Sequence, residues 1–140
     1  MDCSGQKYDR IIRSERKSLS LIESMLQEMR IIFSLSDEQY YNLLITLTEA
    51  VNNAIVHGNK LDNNKSVIIK AECEKSVLMV SVQDQGKGFD YENLEDPLLP
   101  ENLTKESGRG IFIMKKIADK VEFDCSTQGT LLKIYFRFDE

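Results

Sequence analysis

The chain is organised around one stretch, Leu47-Thr48-Glu49-Ala50-Val51-Asn52-Asn53-Ala54-Ile55-Val56-His57-Gly58. Its apolar residues recur at the spacing of one helical face, which predicts the second half of an amphipathic helix. Glu49 and Asn53 are four residues apart, so they lie one above the other on a second, small polar face, whereas Asn52 does not. A solvated face typically carries lysine, glutamate and arginine, so this pair indicates a site lined by a helix.

The residues before this stretch predict where its helix begins. Ser36 is expected at the N-cap, and Gln39 three residues later completes a capping box. The helix should then extend from about Asp37 to His57 and stop at Gly58, a residue that easily adopts the left-handed conformation of a helix end.

The remaining pattern predicts a sheet covered by helices. Alternating apolar residues predict two antiparallel hairpins, and helical spacing predicts a further helix on either side of the first hairpin. The predicted class is α+β, a two-layer sandwich with a mixed, mainly antiparallel sheet and helices on one face. The predicted elements are an edge strand at Tyr8–Arg13, a helix capped by Ser14 or Ser18 and ending near Phe33, strands at Lys65–Glu72 and Val77–Gln83, a helix at Gly110–Asp119, and strands at Val121–Cys125 and Leu131–Phe138.

Composition limits the classes of function. A length of 140 residues fits one domain, residues 1–140, and 23 acidic against 18 basic residues argue against a general nucleic-acid or anionic-membrane binder. We expect neither a signal peptide nor a membrane span, because no basic N-terminal region precedes an apolar one and no apolar run approaches ~20 residues. The widely spaced Cys3, Cys73 and Cys125 predict reduced thiols in a cytoplasmic protein.

Two strands are predicted to end in polar residues that point towards the core. Asp84 follows a strand and has the parity of its apolar residues, and Thr130 has the same relation to the last strand. A carboxylate in such a place must be hydrogen-bonded or bound to a ligand. Gly86 and Gly88 directly after it would let the backbone approach a ligand closely.

A third locus is Gly108-Arg109-Gly110, which is predicted to open a helix. Free N–H groups and the helix dipole make such a start a phosphate site. Between this locus and Asp84 lies an irregular segment, at about 85–108, of the length typical of lids, binding loops or disordered segments.

Each locus also has a simpler interpretation. The Asp84 motif could be a turn without a ligand, the glycines near Arg109 could serve only a turn, and Glu49 with Asn53 could be a solvated pair. The conjunction is more specific than its parts, because order and spacing must also agree.

That conjunction resembles the GHKL ATPase superfamily, which includes gyrase, histidine kinases and MutL. E-A-V-N-N-A-I-V-H-G is similar to its N box, D-Q-G-K-G-F to its G1 box, and S-G-R-G-I-F-I-M-K-K-I-A-D to its G2 box. The stretch from Asp96 to Leu103, followed by Glu106 to Asp119, is similar to the bacterial anti-sigma factor serine kinases. The resemblance extends from about Tyr8 to Phe138 and implies the Bergerat-type sandwich of that superfamily.

The resemblance implies an ATP/ADP and Mg²⁺ site. Asn53 would hold Mg²⁺, and Glu49 would be the general base. The other nucleotide-binding residues would be Asp84 and Thr130 at the adenine, Gly86 and Gly88 along the nucleotide, Gly108 and Gly110 at the phosphates, and Ser107 and Arg109 as lid contacts.

The implied activity is transfer of the ATP γ-phosphoryl group to a serine of an anti-anti-sigma (STAS-domain) partner, by a kinase that also sequesters a sigma factor. Homodimers are usual in this subfamily. A nucleotide-gated binding module without kinase activity, acting on another regulator, is the alternative, and a ligand-free structural domain is a third.

Overall fold

The structure, a computed structural model, describes residues 3–86, 105–126 and 128–138, apart from the side chains of 105–108. A 3₁₀ helix (Arg16–Leu21) leads into the first α-helix, and a π-helical turn (Asn53–Gly58) continues the second. The other elements are β1 (Lys7–Arg13), α1 (Ile22–Phe33), α2 (Asp37–Asn52), β2 (Ser66–Glu74), β3 (Val77–Gln83), α3 (Lys105–Ile117), β4 (Lys120–Ser126) and β5 (Gly129–Arg137).

The described strands form one sheet in the order β1-β2-β3-β5-β4. All four strand pairings are antiparallel, so the expectation of a mixed sheet is wrong in that detail. The predicted edge position of β1 is confirmed. In the sheet centre, Val80 lies opposite both Ala71 and Ile134. This register places the last residues of β3 beside the first residues of β5, and the candidate site lies at this point of the sheet.

The helices cover one face of the sheet, as predicted. Along β2 and β3 the buried residues alternate with more exposed ones, as expected for a strand with one covered face. The apolar residues of the predicted core faces of both strands are buried. One hydrophobic cluster joins this face to α1, α2 and α3, and its largest fully buried side chains include Leu26, Phe33, Leu47, Ile69, Ile111 and Ile134.

Of the two serine helix caps predicted from the sequence, one is confirmed and the other is wrong. The capping box of α2 is confirmed: Ser36 Oγ accepts the Gln39 N–H at 3.2 Å, and Gln39 Oε1 accepts the Ser36 N–H at 2.8 Å. No serine caps the helical segment before α1. Ser18 is buried inside the 3₁₀ helix, and the Ser14 hydroxyl donates to the carbonyl of Ile55, 3.3 Å away.

The prediction of three reduced thiols is wrong. Cys3 and Cys73 form a disulfide bond, with their Cα atoms 5.7 Å apart, that ties the segment before β1 to β2. Their backbones are also paired through Gln6, which donates to Cys3 and accepts from Cys73. Sequence spacing missed the pair because 70 residues separate the two cysteines and the register of β1 on β2 brings them together.

Within the described ranges, no helix is both long and apolar enough to cross a membrane.

Thiol counting tests the disulfide. Alkylation of the oxidised, unfolded protein should label one of the three cysteines, and labelling after reduction should reach all three. Reduction should lower the free energy of unfolding by about 2–4 kcal/mol, because the bridge restricts a long loop of the unfolded chain. Cys125→Ser is the matched control and should keep this dependence on reductant. Three reactive thiols before reduction would contradict the bond.

Candidate functional site

The candidate site begins where the α-helical hydrogen bonding of α2 gives way to a π-helical turn. The Asn59 N–H donates to the Ala54 carbonyl at 2.8 Å, five residues back, which is the bond of a π-helix rather than of an α-helix. This wider turn carries Asn53 at its start and Gly58 at its end. Single π-helical turns occur frequently at functional sites, because they redirect the side chains that follow.

Glu49 and Asn53 both face α3 at Gly110. A Cβ atom placed on Gly110 would lie 2.6 Å from Glu49 Oε2 and 3.6 Å from Asn53 Nδ2. The two predicted residues therefore meet, and a glycine in α3 leaves room for the carboxylate. Burial raises the pKa of the Glu49 carboxyl above its ordinary value, because the charged form is partly shielded from water.

Asn53 is a buried amide with an unused hydrogen-bond donor. Its side chain is buried, and no acceptor within the described residues takes a hydrogen bond from Nδ2. A buried N–H donor without an acceptor among these residues is expected to have a partner elsewhere, and a phosphate oxygen would be such an acceptor. No group of three or more His, Cys, Asp or Glu in the described ranges could hold a metal by itself. The role of Asn53 as a Mg²⁺ ligand would use its amide oxygen instead, beside waters and phosphate oxygens, and stays a prediction.

Asp84 is buried at the end of β3, with the orientation that its parity predicts. Its Oδ1 accepts the N–H groups of Gly86 and Thr130, each at 3.0 Å, and its own N–H donates to the Thr130 carbonyl at 3.0 Å. Burial raises the pKa of the Asp84 carboxyl, although these two N–H groups and the charge of Lys65 partly offset the effect. Thr130 is buried as well, as predicted.

Three glycines enclose Asp84. Cβ atoms placed on Gly58 and Gly129 would lie 2.1 Å from Asp84 Oδ2 and from the Asp84 carbonyl oxygen, respectively. A Cβ on Gly86 would lie 1.9 Å from the Gly58 carbonyl oxygen. The predicted role of Gly58 as a left-handed helix stop is wrong: Gly58 has no positive φ, and the residue is needed for its lack of a side chain.

Asn53, Asp84 and Thr130 line one slot between α2 and the sheet. Its apolar walls are Ala50, Ala54, Val82, Phe123 and Leu132. The cavity volume is about 10 Å³, so a planar ligand would have to spread these walls as it enters. Phe123 was missed in the sequence, although the alternation of β4 gives it the parity of the core-facing residues.

Glu49 also lines a second, open groove on the outer side of α2. This groove has a volume of 290 Å³ and is formed with Leu19, Ile22, Glu23, Leu44, Thr48 and Asn52. Asn52 therefore lines the groove together with Glu49, whereas Asn53 lines the slot. Glu49 lines the groove, and its carboxylate lies near Asn53 of the slot, beside Gly110.

The prediction that Gly108-Arg109-Gly110 opens a helix is wrong. Helix α3 already begins at Lys105, so this tripeptide lies in its first two turns. Arg109 is exposed, and Gly110 is buried beside Glu49. Gly88 and most of the predicted lid lie outside the described residues, as does the side chain of Ser107. The phosphate-binding roles of these residues stay predictions.

A larger cavity of 470 Å³ lies at the opposite end of α2, near the start of that helix. Three of its polar side chains are engaged: Ser36 and Gln39 cap the helix, and Asp119 accepts the N–H of Arg137 at 2.6 Å. The slot, which contains the unused amide of Asn53, is therefore the better candidate for a ligand site.

Comparisons with known proteins agree with this geometry. The family model of the histidine kinase-like ATPase domain matches residues 12–136. An anti-sigma F factor of Clostridium perfringens (strain SM101 / Type A) is 35% identical over 89 residues, covering 61% of this chain and 62% of that protein. A serine-protein kinase RsbW of Staphylococcus aureus (strain JH9) is 33% identical over 84 residues, covering 55% and 53%. The chain thus matches little more than half the length of either relative.

Solved structures share the fold at low sequence identity. The RsbU and RsbW domains of a Mycobacterium tuberculosis protein superpose with a TM-score of 0.69 at 14% identity, over 94% of this chain and 32% of that one. The histidine kinase domain of a blue-light activated kinase from Erythrobacter litoralis EL346 gives 0.57 at 15%, over 91% and 62%. The sandwich implied by the sequence motifs is therefore confirmed.

Asp84→Asn should separate folding from ligand binding. The pKa of Asp84 is raised in the folded state, so the wild-type carboxylate lowers stability as pH rises through that pKa, whereas asparagine does not ionise. At neutral pH the variant should melt at the wild-type temperature or above. ADP at 100 times its Kd should stabilise the wild type by about 2.7 kcal/mol, and the variant by much less. Thermal melts with and without ADP check this, and an unchanged ADP shift would contradict the prediction.

Gly110→Ala should impair the site without harming the fold. Alanine favours a helix interior by about 0.5–1 kcal/mol relative to glycine, but its methyl group would displace the Glu49 carboxylate. We expect equal or higher thermal stability and a loss of at least tenfold in any reaction that needs Glu49. Melts and activity assays on the same preparation measure both effects, and full activity would show that the carboxylate tolerates displacement.

Proposed function

Since the chain belongs to the family of histidine kinase-like ATPase domains, we propose that it is an ATP-dependent protein-serine kinase of the anti-sigma type. The observation that carries this proposal is the position of Glu49. Its carboxylate lies beside the Asn53 amide at Gly110 on one side and lines an open groove on the other. A base that lies near Asn53 and also lines an accessible groove can serve a transfer reaction, which a pure binding site does not need.

The slot would hold the nucleotide. Asp84 would accept a hydrogen bond from the adenine amino group through Oδ2, since its Oδ1 already accepts two backbone N–H groups. Thr130 would support that contact, and Gly86 and Gly88 would let the chain pass close to the nucleotide. We assign the remaining nucleotide contacts to residues in the first two turns of α3, which are Ser107, Gly108, Arg109 and Gly110.

Asn53 would hold Mg²⁺ through its amide oxygen. The ion would neutralise charge on the transferring phosphoryl group, which is the largest electrostatic requirement of such a reaction. The protein would contribute mainly position and desolvation. Asn53 is buried, and the lack of a side chain at Gly110 lets α3 close over both polar groups.

Glu49 would accept the proton of the attacking serine hydroxyl. The acceptor would reach it through the outer groove, whose apolar wall includes Leu19, Ile22 and Leu44. Burial raises the pKa of Glu49, which makes its carboxylate a stronger base than an exposed one.

The partners follow from the relatives. One is named an anti-sigma F factor and another a serine-protein kinase. These names support a sigma factor as the bound regulator and an anti-anti-sigma STAS-domain protein as the phosphate acceptor. We further propose a cytoplasmic homodimer, which rests on the resemblance of the sequence motifs alone. The Cys3–Cys73 disulfide is the feature least expected of a cytoplasmic protein, so the thiol count bears on that location.

Glu49→Gln tests the assigned base. The variant should bind ADP normally but transfer phosphate about 10²–10⁴-fold more slowly, because the amide cannot take the proton. Glu38→Gln, an exposed position in the first turn of the same helix, is the matched control and should keep wild-type rates. Radiolabelled ATP and a panel of STAS-domain proteins provide the measurement.

The pH profile adds a second criterion. The wild-type rate should fall as pH drops through the raised pKa of Glu49, above the ordinary glutamate value of about 4.3. Normal transfer by Glu49→Gln would refute the assigned base. Nucleotide binding without transfer to any STAS-domain protein would instead favour the nucleotide-gated binding module.

A further inference from the structure

Three segments that surround the slot are joined by side-chain amides. Asn59, directly after the π-helical turn, is 1% exposed, and its Nδ2 donates to the Ser66 carbonyl at 3.0 Å. Its Oδ1 accepts the Gln85 N–H at 2.7 Å. The side chain of Gln85 completes the set, because its Oε1 accepts the Ser66 N–H at 2.7 Å. We call the hydrogen-bonded group of Asn59, Ser66 and Gln85 the amide clasp.

The amide clasp fixes the backbone immediately after Asp84. Gln85 is the next residue, so the bond from its N–H to Asn59 holds the peptide that leaves Asp84. On the other side of the carboxylate, Thr130 exchanges two hydrogen bonds with Asp84. Asp84 is thus held from both directions, from the sheet by Thr130 and from the end of α2 by the clasp.

The clasp also sets how closely α2 approaches Asp84. Asn59 follows Gly58, and a Cβ on Gly58 would lie 2.1 Å from Asp84 Oδ2. The backbone at Gly58 is therefore in van der Waals contact with the carboxylate oxygen that the two N–H groups leave unused. A change of a few tenths of an ångström between Gly58 and Asp84 would turn this oxygen relative to the slot. Hydrogen bonds made by a buried amide limit such movement more strongly than exposed ones.

We propose that Asn59 and Gln85 are positioning residues that give the slot its selectivity for adenine, by holding Asp84 Oδ2 towards the exocyclic amino group. The inference rests on the proposed nucleotide site. Adenine offers a donor to this oxygen, whereas hypoxanthine has a carbonyl oxygen at the same position. A site built to hydrogen-bond a donor rejects an analogue without it, because a buried polar group is then left unpaired. That rejection weakens when the carboxylate is free to turn away.

The test compares the affinities of ADP and IDP by calorimetry. The wild type should prefer ADP by at least tenfold. Gln85→Ala removes the hydrogen bond between Ser66 and the exposed Gln85 side chain, and the fold should be kept. The variant should reduce the preference for ADP over IDP several-fold, by weakening ADP binding alone. Asn59→Ala should reduce it further, and Asn59→Asp, which keeps an acceptor for the Gln85 N–H, should fall between them. Asp84→Asn, which places an N–H donor where Oδ2 stood, should abolish or reverse the preference for ADP.

Two exposed amides outside the clasp supply controls. Gln83→Ala and Asn64→Ala remove side chains of the same types and should leave the ADP-to-IDP ratio at the wild-type value. A purely structural role predicts lower melting temperatures for the clasp variants with an unchanged ratio, and that result would overturn the inference while leaving the proposed function intact. A wild type that binds neither nucleotide would overturn both.

Discussion

The structure depends on a buried carboxylate, that of Asp84, at the point where β3 ends beneath α2. Burial disfavours its charge, and two backbone N–H groups on one oxygen compensate only in part. Several features of the chain follow from accommodating this group. Glycines stand at 58, 86 and 129 because a side chain at any of them would collide with Asp84 or with the backbone around it. An apolar residue at this position would avoid the cost of burying a charge, so the carboxylate is a candidate for ligand binding.

Helix α2 connects this carboxylate to the proposed chemistry. One side of the helix belongs to the core, a second presents Asn53 to the slot, and a third carries Asn52 along the outer groove. Glu49 stands at the junction of the last two sides. The π-helical turn then brings Gly58 and Asn59 against the end of β3. One helix and the adjoining ends of two strands can therefore position the proposed metal ligand, base and adenine contact. The proposed binding and transfer would share this support.

Several parts of this arrangement could be predicted because they depend on local rules. The alternation of β2 and β3 identified the buried faces, and the same parity placed Asp84 and Thr130 in the core. The capping box at Ser36 was predictable because its bonds span three residues. The start of α3 was not, because glycines near Arg109 suggested a boundary, whereas the helix includes them where it approaches Glu49. The disulfide depended on the register of β1 against β2, which no spacing of cysteines reveals.

The sequence by itself therefore determined the two-layer fold, the family resemblance and the identity of the polar residues at the site, since these follow from periodicity and from motifs within single elements. Tertiary structure decided which of those residues meet and what each glycine is for. Gly58 is a point of close approach rather than a left-handed helix stop, and Asn59 joins the end of the π-helical turn to the start of β2 and to the residue after Asp84. The physical reason is that van der Waals exclusion and hydrogen bonding act through space, between atoms that only the packed chain brings within a few ångströms.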